Sequence, residues 1–305
     1  MRQNENGQPK SEPELSIVLV SYNDRVRLGR CLFSLEEEAK NLGAEVVVVD
    51  NNSADGSQEL VRTSFSWAKL IENSENLGYA KGNNRGIQGS RGKFVLLLNP
   101  DTVVPSGALS TLLAELKARP EAGAIGPALV HEDQTFQVSF GRKVSFFSEL
   151  VQKLARNPYY KARLKAGLPA RETGWLSGAC LLLRRTALEE AGVFDENFFL
   201  FFEDIDLCLR LRKKGFRLIF EPRIKVLHAG GASTSREKLA SRLEYRRSQV
   251  YFYRKHNSRL SLFLLKIYLR LTFFLQRFFV LRTNEERTLL REKARAIFKD
   301  AAHNE

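Results

Sequence analysis

The chain of 305 residues contains only three cysteines, one methionine and two tryptophans. Cys31, Cys180 and Cys208 lie far apart, in neither a CxxC nor a metal-ligand spacing, which argues against a disulfide framework or structural zinc and for a reducing cytosol. The 20 glycines and 9 prolines follow no period, and no repeat of fixed length is found, so collagen-like, linker-dominated and solenoid chains are excluded. No GxxxxGKS/T sequence occurs and no GxGxxG follows the first apolar run; the P-loop and dinucleotide-binding readings lose their main support. The first dozen residues, MRQNENGQPKSE, lack the apolar core of a signal peptide. Residues 1–13 are expected to be a disordered tail without a secretory address.

What is present points to a folded protein with an anionic partner. Hydrophobic residues make up 43% and charged residues 27%, enough to bury a core. Against 35 Asp and Glu stand 48 Lys and Arg, a formal charge of +13. Nucleic acid, acidic lipid headgroups and phosphorylated small molecules would each be attracted.

Three apolar, β-rich runs, Leu15 to Val20, Glu45 to Val49 and Phe94 to Leu98, are separated by helical patterns. That alternation predicts an α/β fold with a mostly parallel sheet and flanking helices. Asp24 is placed to cap a helix over Val26 to Ala39, Asp55 one over Gln58 to Ser64, and Pro105 suits the first turn of a helix through Leu116. Parallel sheets of this kind bind ligands beyond the carboxyl ends of their strands. Here the runs end in Ser21-Tyr22-Asn23, Asp50-Asn51-Asn52-Ser53 and Asn99-Pro100-Asp101-Thr102, which would share one rim. Two acids directly after buried strands suit a cation or a ribose; simple solvation of polar loops is the alternative. Gly78, Gly82 and Gly86 recur every four residues, consistent with close approach to a ligand or with a packing face.

Seven segments resemble, in order, the motifs of family 2 glycosyltransferases: VSYN (20–23), VVDNNSADGS (48–57), ENLGYAKGNNRGI (75–87), LLLNPDT (96–102), LSGACLLLRR (176–185), FDENFFLFFEDIDLCLRLRKKGF (194–216) and LHAGGAS (227–233). The likeness is strongest to the rhamnosyltransferase-like branch. It implies a GT-A fold over residues 14–233, a nucleotide-binding, Rossmann-like α/β domain; beyond the resemblance, residues 234–305 read by their own pattern as a helical basic and apolar extension, a membrane-surface or oligomerisation element. The resemblance also implies an inverting transfer from a dTDP- or UDP-sugar, rhamnose or another hexose such as galactofuranose, to a hydroxyl of a glycan or lipid-linked acceptor in polysaccharide synthesis. By the same resemblance Asp50 holds the donor base and ribose beside Tyr22 and Asn23. Ser21, Asn52, Asn76, Gly78, Lys81, Asn84 and Asn99 join the nucleotide-sugar site, and Trp175 and Gly178 the acceptor side. Asp101 matches the last acid of the metal-binding DxD motif, His228 a histidine that completes it, and Asp204, in the Glu203-Asp204 pair, the catalytic base. Asn99 stands where the first acid of DxD is expected.

These roles suit the residue types. A divalent cation, Mn²⁺ or Mg²⁺, can stabilise the charge that develops on a departing diphosphate. A histidine ligand favours Mn²⁺, and Asn99 offers only a neutral oxygen. An acceptor hydroxyl needs a base, which Asp204 can supply if the surrounding phenylalanines desolvate it. The same acids, with Arg210 and Arg212 behind them, would equally suit the two ends of a helix dipole. Trp175 could be a platform for an acceptor sugar or a core residue, and Arg184 and Arg185 could face a diphosphate or solvent.

Beyond Ser233 the most informative stretch is RLSLFLLKIYLRLTFFLQRFFVLR (259–282). On a helical wheel Arg259, Lys266, Arg270 and Arg277 share one stripe about 40° wide, and nearly everything else is apolar. Interior cations cost roughly 2.5 to 3.5 kcal/mol each at a bilayer centre, which disfavours spanning. An in-plane helix on anionic headgroups, peripheral on the inner face of the cell membrane, fits better; packing on the catalytic domain or on a second subunit is the alternative. A nucleic-acid-binding protein is the rival class, resting on the charge and on YRRSQVYFY (245–253), but no recognition motif of that class is found.

Overall fold

A computed structural model describes residues 12–142, 144–149, 169–230 and 235–279. Eleven residues of the expected tail, the boundary expected at 233/234, the end of the LHAGGAS motif, the Arg277 side chain and everything after 279 lie outside it.

The three apolar runs are β1 (Leu15–Ser21), β2 (Glu45–Asp50) and β4 (Phe94–Leu98), with β3 (Lys69–Glu72) at the edge. They form the parallel set β3-β2-β1-β4, joined through helices α1 (Arg25–Asn41), α2 (Ser57–Ser64) and α3 (Gly78–Gln88). Every residue of β1 and β4 is buried, as expected for strands covered on both faces. Beyond β4 the sheet becomes mixed. β10 (Cys180–Arg184) runs antiparallel between β4 and β6 (Ala122–Val130), β11 (Arg217–His228) returns parallel to β6, and β5 (Thr102–Val103) closes the edge antiparallel to β11.

Alternation along the strands builds two cores. Ile17, Leu19, Val48, Leu96 and Leu98 face α1, with Leu28, Leu32 and Leu35, and α4 (Ala108–Lys117), with Leu109, Leu112 and Leu116. Val18, Val95 and Leu97 face the other way, toward α3, α5 (Arg185–Ala191), α6 (Glu203–Lys213), α7 (Ser235–His256) and α8 (Arg259–Phe279). Val250, Phe252 and Tyr253 of α7 and Leu265 and Leu269 of α8 belong to this second core, so one face of the C-terminal helices packs on the catalytic half.

Some local expectations are corrected. The Asp24 carboxylate does not cap α1: its Oδ2 takes a bond from Arg27 instead. Asp55 serves both helices, accepting from the Arg25 N–H at 2.7 Å and the Ser57 N–H at 3.0 Å. The helix expected from Pro105 starts at Ala108, because Gly107 adopts a left-handed φ of 80°. Gly82 and Gly86 form the packing face: a Cβ on Gly82 would lie 2.7 Å from Val20 Cγ1, and one on Gly86 would strike Val18. Arg184 and Arg185 face neither ligand nor open solvent. They donate to main-chain carbonyls of Leu116, Arg119, Ala122 and Gly92, and Arg184 pairs with Phe94, at the sheet edge opposite the site.

Candidate active site

The register sets Ser21 beside Asp50, and both strands end at one rim. Asp50 is buried; its Oδ1 accepts bonds from Ser53 N–H at 2.8 Å and Gln58 Nε2 at 2.7 Å, while its Oδ2 is buried without a partner. The Ser21 hydroxyl is likewise unpartnered. Leaving such atoms unpaired costs about 1–3 kcal/mol each, which a ligand's hydrogen bonds would recover. Asn23, at φ 50°, locks the first two rim loops together: its N–H donates to Ser53 Oγ and its Oδ1 accepts from Ala54 N–H. Tyr22 is half exposed beside these loops, and Asn52 and Lys81 are exposed.

Asn76 Oδ1 accepts the Gly78 N–H at 2.9 Å, so it shapes the turn into α3. Gly78 has φ 78°, and its missing side chain makes room for the Phe199 carbonyl, to which Tyr79 N–H donates at 2.7 Å. Asn84 does something other than expected. Both ends of its buried amide are taken by the main chain of Phe194, and its Nδ2 also reaches Glu196, so it tethers the segment before α6 and has no atom left for a donor.

Asp101 and His228 come together from β4's exit and the end of β11, with Nε2 and Oδ1 3.2 Å apart. Burial pushes the Asp101 carboxyl up, but the hydrogen bond and charge of His228 outweigh it, and the net value lies below the ordinary one. Behind the ring, Gln137 Oε1 sits 2.7 Å from His228 Nδ1, while Gln137 Nε2 donates to the His228 carbonyl and contacts His131 Nδ1. This pattern assigns the ring proton to Nδ1. Nε2 therefore faces a carboxylate, with the Asn99 amide 3.3 Å away, a position suited to a second ring proton or to a cation. Asn99 Oδ1 is also buried and unpartnered. Asp101, His228 and the neutral Asn99 oxygen thus fit a divalent cation that fills its remaining positions from phosphate; among the described residues no third histidine, cysteine or carboxylate completes a cage.

Glu203 and Asp204 open α6, behind a strained turn. Phe201 and Phe202 both have left-handed φ, 71° and 67°. Phe202 is buried against Tyr245 and Phe252 of α7, with ring centroids 5.1 and 5.3 Å away, Phe201 meets Tyr245 at 5.5 Å, and Ser248 Oγ donates to the Leu200 carbonyl at 2.7 Å. Asp204 Oδ2 accepts the Gly178 N–H at 2.8 Å, and Oδ1 that of Ile205. Burial raises both carboxyls; Glu203, repelled by Asp204 and with Oε2 unpartnered, rises well above its ordinary value. Asp204, stabilised as a carboxylate by two N–H donors, is the more readily ionised of the pair. The dipole reading holds as well, since the acids occupy the first turn and Arg210 and Arg212 the last.

A cavity of about 440 Å³ is lined by Glu203, Asp204, Gly178, Trp175, Asn99 and His228, together with Tyr79 and Tyr245. Trp175 lines it and also packs over Gly141, so its two readings coexist. His228 belongs as well to an adjoining cavity of about 550 Å³ with Asp101, Arg27, Arg30 and His131. The metal-type pair and the carboxylate pair thus line two adjoining cavities, with His228 common to both. Gln58, Gln137, Tyr79 and Tyr245 were missed from sequence. Gln58 is the second residue of α2, directly after the VVDNNSADGS stretch that contains Asp50, whereas Gln137 sits in a loop with no pattern of its own.

Comparison with known proteins identifies the family and the fold. The family model described as "Glycosyl transferase family 2" matches residues 16–192. The N-acetylglucosaminyl-diphospho-decaprenol L-rhamnosyltransferase of Mycobacterium tuberculosis is 32% identical over 257 residues, 78% of this chain and 83% of that one. The O-antigen biosynthesis protein RfbC of Myxococcus xanthus is 29% identical over 73% of this chain but only 18% of its own length. Among solved structures, a mannosyltransferase of Pyrobaculum calidifontis in complex with GDP-Man and Mn²⁺ shares the fold at TM-score 0.57 and 20% identity, over 97% of this chain and 76% of that one. GalNAc-T7 with UDP, GalNAc and Mn²⁺ shares it at 0.57 and 17%, over 83% and 52%. The expected GT-A architecture is therefore present, and the chain belongs to glycosyl transferase family 2, on its rhamnosyltransferase-like side.

Proposed function

We propose that this glycosyltransferase moves a sugar, L-rhamnose, from a dTDP- or UDP-sugar to a hydroxyl of a lipid-linked glycan acceptor, with inversion at the anomeric carbon, at the cytoplasmic face of a membrane. The observation that supports this reading is that His228 lines one cavity with Asp204 and an adjoining one with Asp101, its Nε2 3.2 Å from Asp101 Oδ1. The named rhamnosyltransferase relative supports the sugar and the lipid-linked acceptor. The acids in the cleft carry the same sign as a nucleic-acid backbone, which supports sugar transfer over the nucleic-acid reading.

In this mechanism the free Asp50 Oδ2 and Ser21 Oγ bind the nucleoside, and Asn23 and Asn76 hold the loops that cover it. Asp101 and His228, with Asn99, hold Mn²⁺ or Mg²⁺, which when bound offsets the charge on the leaving diphosphate. The acceptor hydroxyl lies at Asp204, which removes its proton as the oxygen attacks the anomeric carbon from the face opposite the leaving nucleoside diphosphate. Positioning such a base contributes roughly 10²- to 10⁴-fold. Protonated Glu203 leaves a single negative charge to receive the proton. Trp175 and Tyr245 offer flat apolar walls to the acceptor sugar.

The test is a screen of nucleotide-sugars for thermal stabilisation with Mn²⁺, followed by transfer assays of Asp204→Asn and Glu203→Gln. Only the dTDP or UDP donor of the correct sugar should raise the melting temperature. Asp204→Asn should lose roughly 10²- to 10⁴-fold in kcat, whereas Glu203→Gln should keep most of it. Undiminished transfer by Asp204→Asn would remove that residue from its role. Stabilisation by a galactofuranose or other hexose donor instead would keep the fold and change the sugar.

A further inference from the structure

One surface of the molecule plays no part in this chemistry. On its inward side α8 buries Leu265 and Leu269 completely, in the same cluster as Phe252 and Tyr253. Its outward side remains apolar. Leu260, Phe263, Ile267 and Leu271 are 62%, 59%, 39% and 60% exposed, and their spacing of three and four residues makes one stripe about 17 Å long. Along one border of the stripe lie Arg259, Lys266 and Arg270, within an arc of about 40°. The helix contains no Asp or Glu. Packing on the catalytic half has therefore used one apolar face and left a second, edged only with positive charge.

We propose that this face of α8 lies in the plane of an anionic phospholipid surface, with the stripe at the acyl boundary and the cations at the headgroups. The charge pattern selects this occupant. An antiparallel two-fold contact with a second copy through the stripe would bring Arg259 and Lys266 of the two copies onto one side with no carboxylate on either helix to answer them, whereas phosphate headgroups answer both. No helix among the described residues is long and apolar enough to cross a membrane, so α8 lies along the surface. It is also joined stiffly to the chemistry. Two residues before Ser258, His256 ends α7 with its Nε2 2.7 Å from Asp206, which Lys255 also holds at 2.7 Å and Arg210 at 2.8 Å. Asp206 is on α6, two residues from Asp204. A lipid-bound α8 therefore fixes the position of the base relative to the bilayer. That purpose, though not the binding itself, rests on the lipid-linked acceptor proposed above.

The full chain is floated with vesicles of phosphatidylcholine alone or with about one-third phosphatidylglycerol. Wild type should rise with the anionic vesicles and not with the neutral ones. Phe263→Ser/Ile267→Ser/Leu271→Ser should weaken partitioning at least roughly tenfold, and Arg259→Gln/Lys266→Gln roughly fivefold per cation removed. Light scattering is read on the same samples. Flotation unaffected by both variants overturns the proposal, as does a wild-type dimer that the triple variant converts to monomer without any vesicle binding. If the triple variant does not fold, the variant of Arg259 and Lys266, the first exposed and the second half-buried, carries the test by itself. Transfer to a water-soluble acceptor analogue should be equal in wild type and the cation variant. Loss of transfer with intact flotation would count against the proposed reaction only, and intact transfer without flotation against the membrane face only.

Discussion

Replacing Ser248 by alanine tests whether α7 is part of the catalytic centre although it touches the base only through others. Two consecutive left-handed phenylalanines, Phe201 and Phe202, cost about 1–2 kcal/mol each, or about 2–4 together. Against this stand three ring contacts with α7, at about 0.5–1.5 kcal/mol each, and the Ser248 bond to Leu200 at about 1 kcal/mol. The two sides nearly balance, so the turn that presents Glu203 and Asp204 is held with little to spare. Ser248 is buried and does not line the cavity, and its removal deletes about 1 kcal/mol without touching substrate. Steady-state transfer should show kcat down about fivefold. Nucleotide-sugar affinity, which the proposed function assigns to Asp50 on other elements, should be unchanged, and the melting temperature should fall by no more than about 3 °C. A variant that loses the melting temperature but keeps kcat would refute the reasoning, and so would an equal loss in donor affinity.

Two further outcomes follow from the polar networks. Gln137→Leu should weaken Mn²⁺ binding about 10- to 100-fold, read by electron paramagnetic resonance with nucleoside diphosphate present, because the His228 tautomer is no longer enforced; unchanged affinity would show that the Gln137 contact is incidental. Asp206 is held at about 2, below its ordinary 3.8, where burial is outweighed by His256, Lys255 and Arg210. A depressed carboxyl stabilises above its unfolded value, so about 2 kcal/mol should be present above pH 4 and be lost as the pH falls toward 2. Urea midpoints from pH 6 to 2.5 should fall more steeply for wild type than for Asp206→Asn, which should already be several kcal/mol weaker at pH 6; parallel curves would contradict the assignment.

Much of the site could be read from the order of residues along the chain. Asp50, Asn99 and Asp101 follow apolar runs directly, and a buried strand that ends in a polar cluster delivers its next side chain to the rim wherever its neighbours lie. Glu203 and Asp204 were visible as acids wrapped in phenylalanine. Asn84 was misread because a polar residue in a glycine-rich motif looks the same whether it binds a ligand or a distant main chain, and Phe194 is 110 residues away. Arg184 and Arg185 were left open for a related reason: a long cationic side chain can reach either way, and only the antiparallel placement of β10 sends it to the far edge of the sheet.

The order of residues alone determined the alternation of buried strands and helices and the acids that follow the strand ends, because these depend on spacings of a few residues. The mixed centre of the sheet, the Gln137 brace on His228, the left-handed Phe201-Phe202 turn held by α7 and the choice of which face of α8 remains exposed were decided by tertiary structure. Each joins segments tens to more than a hundred residues apart, and the competition among apolar faces for one core is settled only when all of them are present.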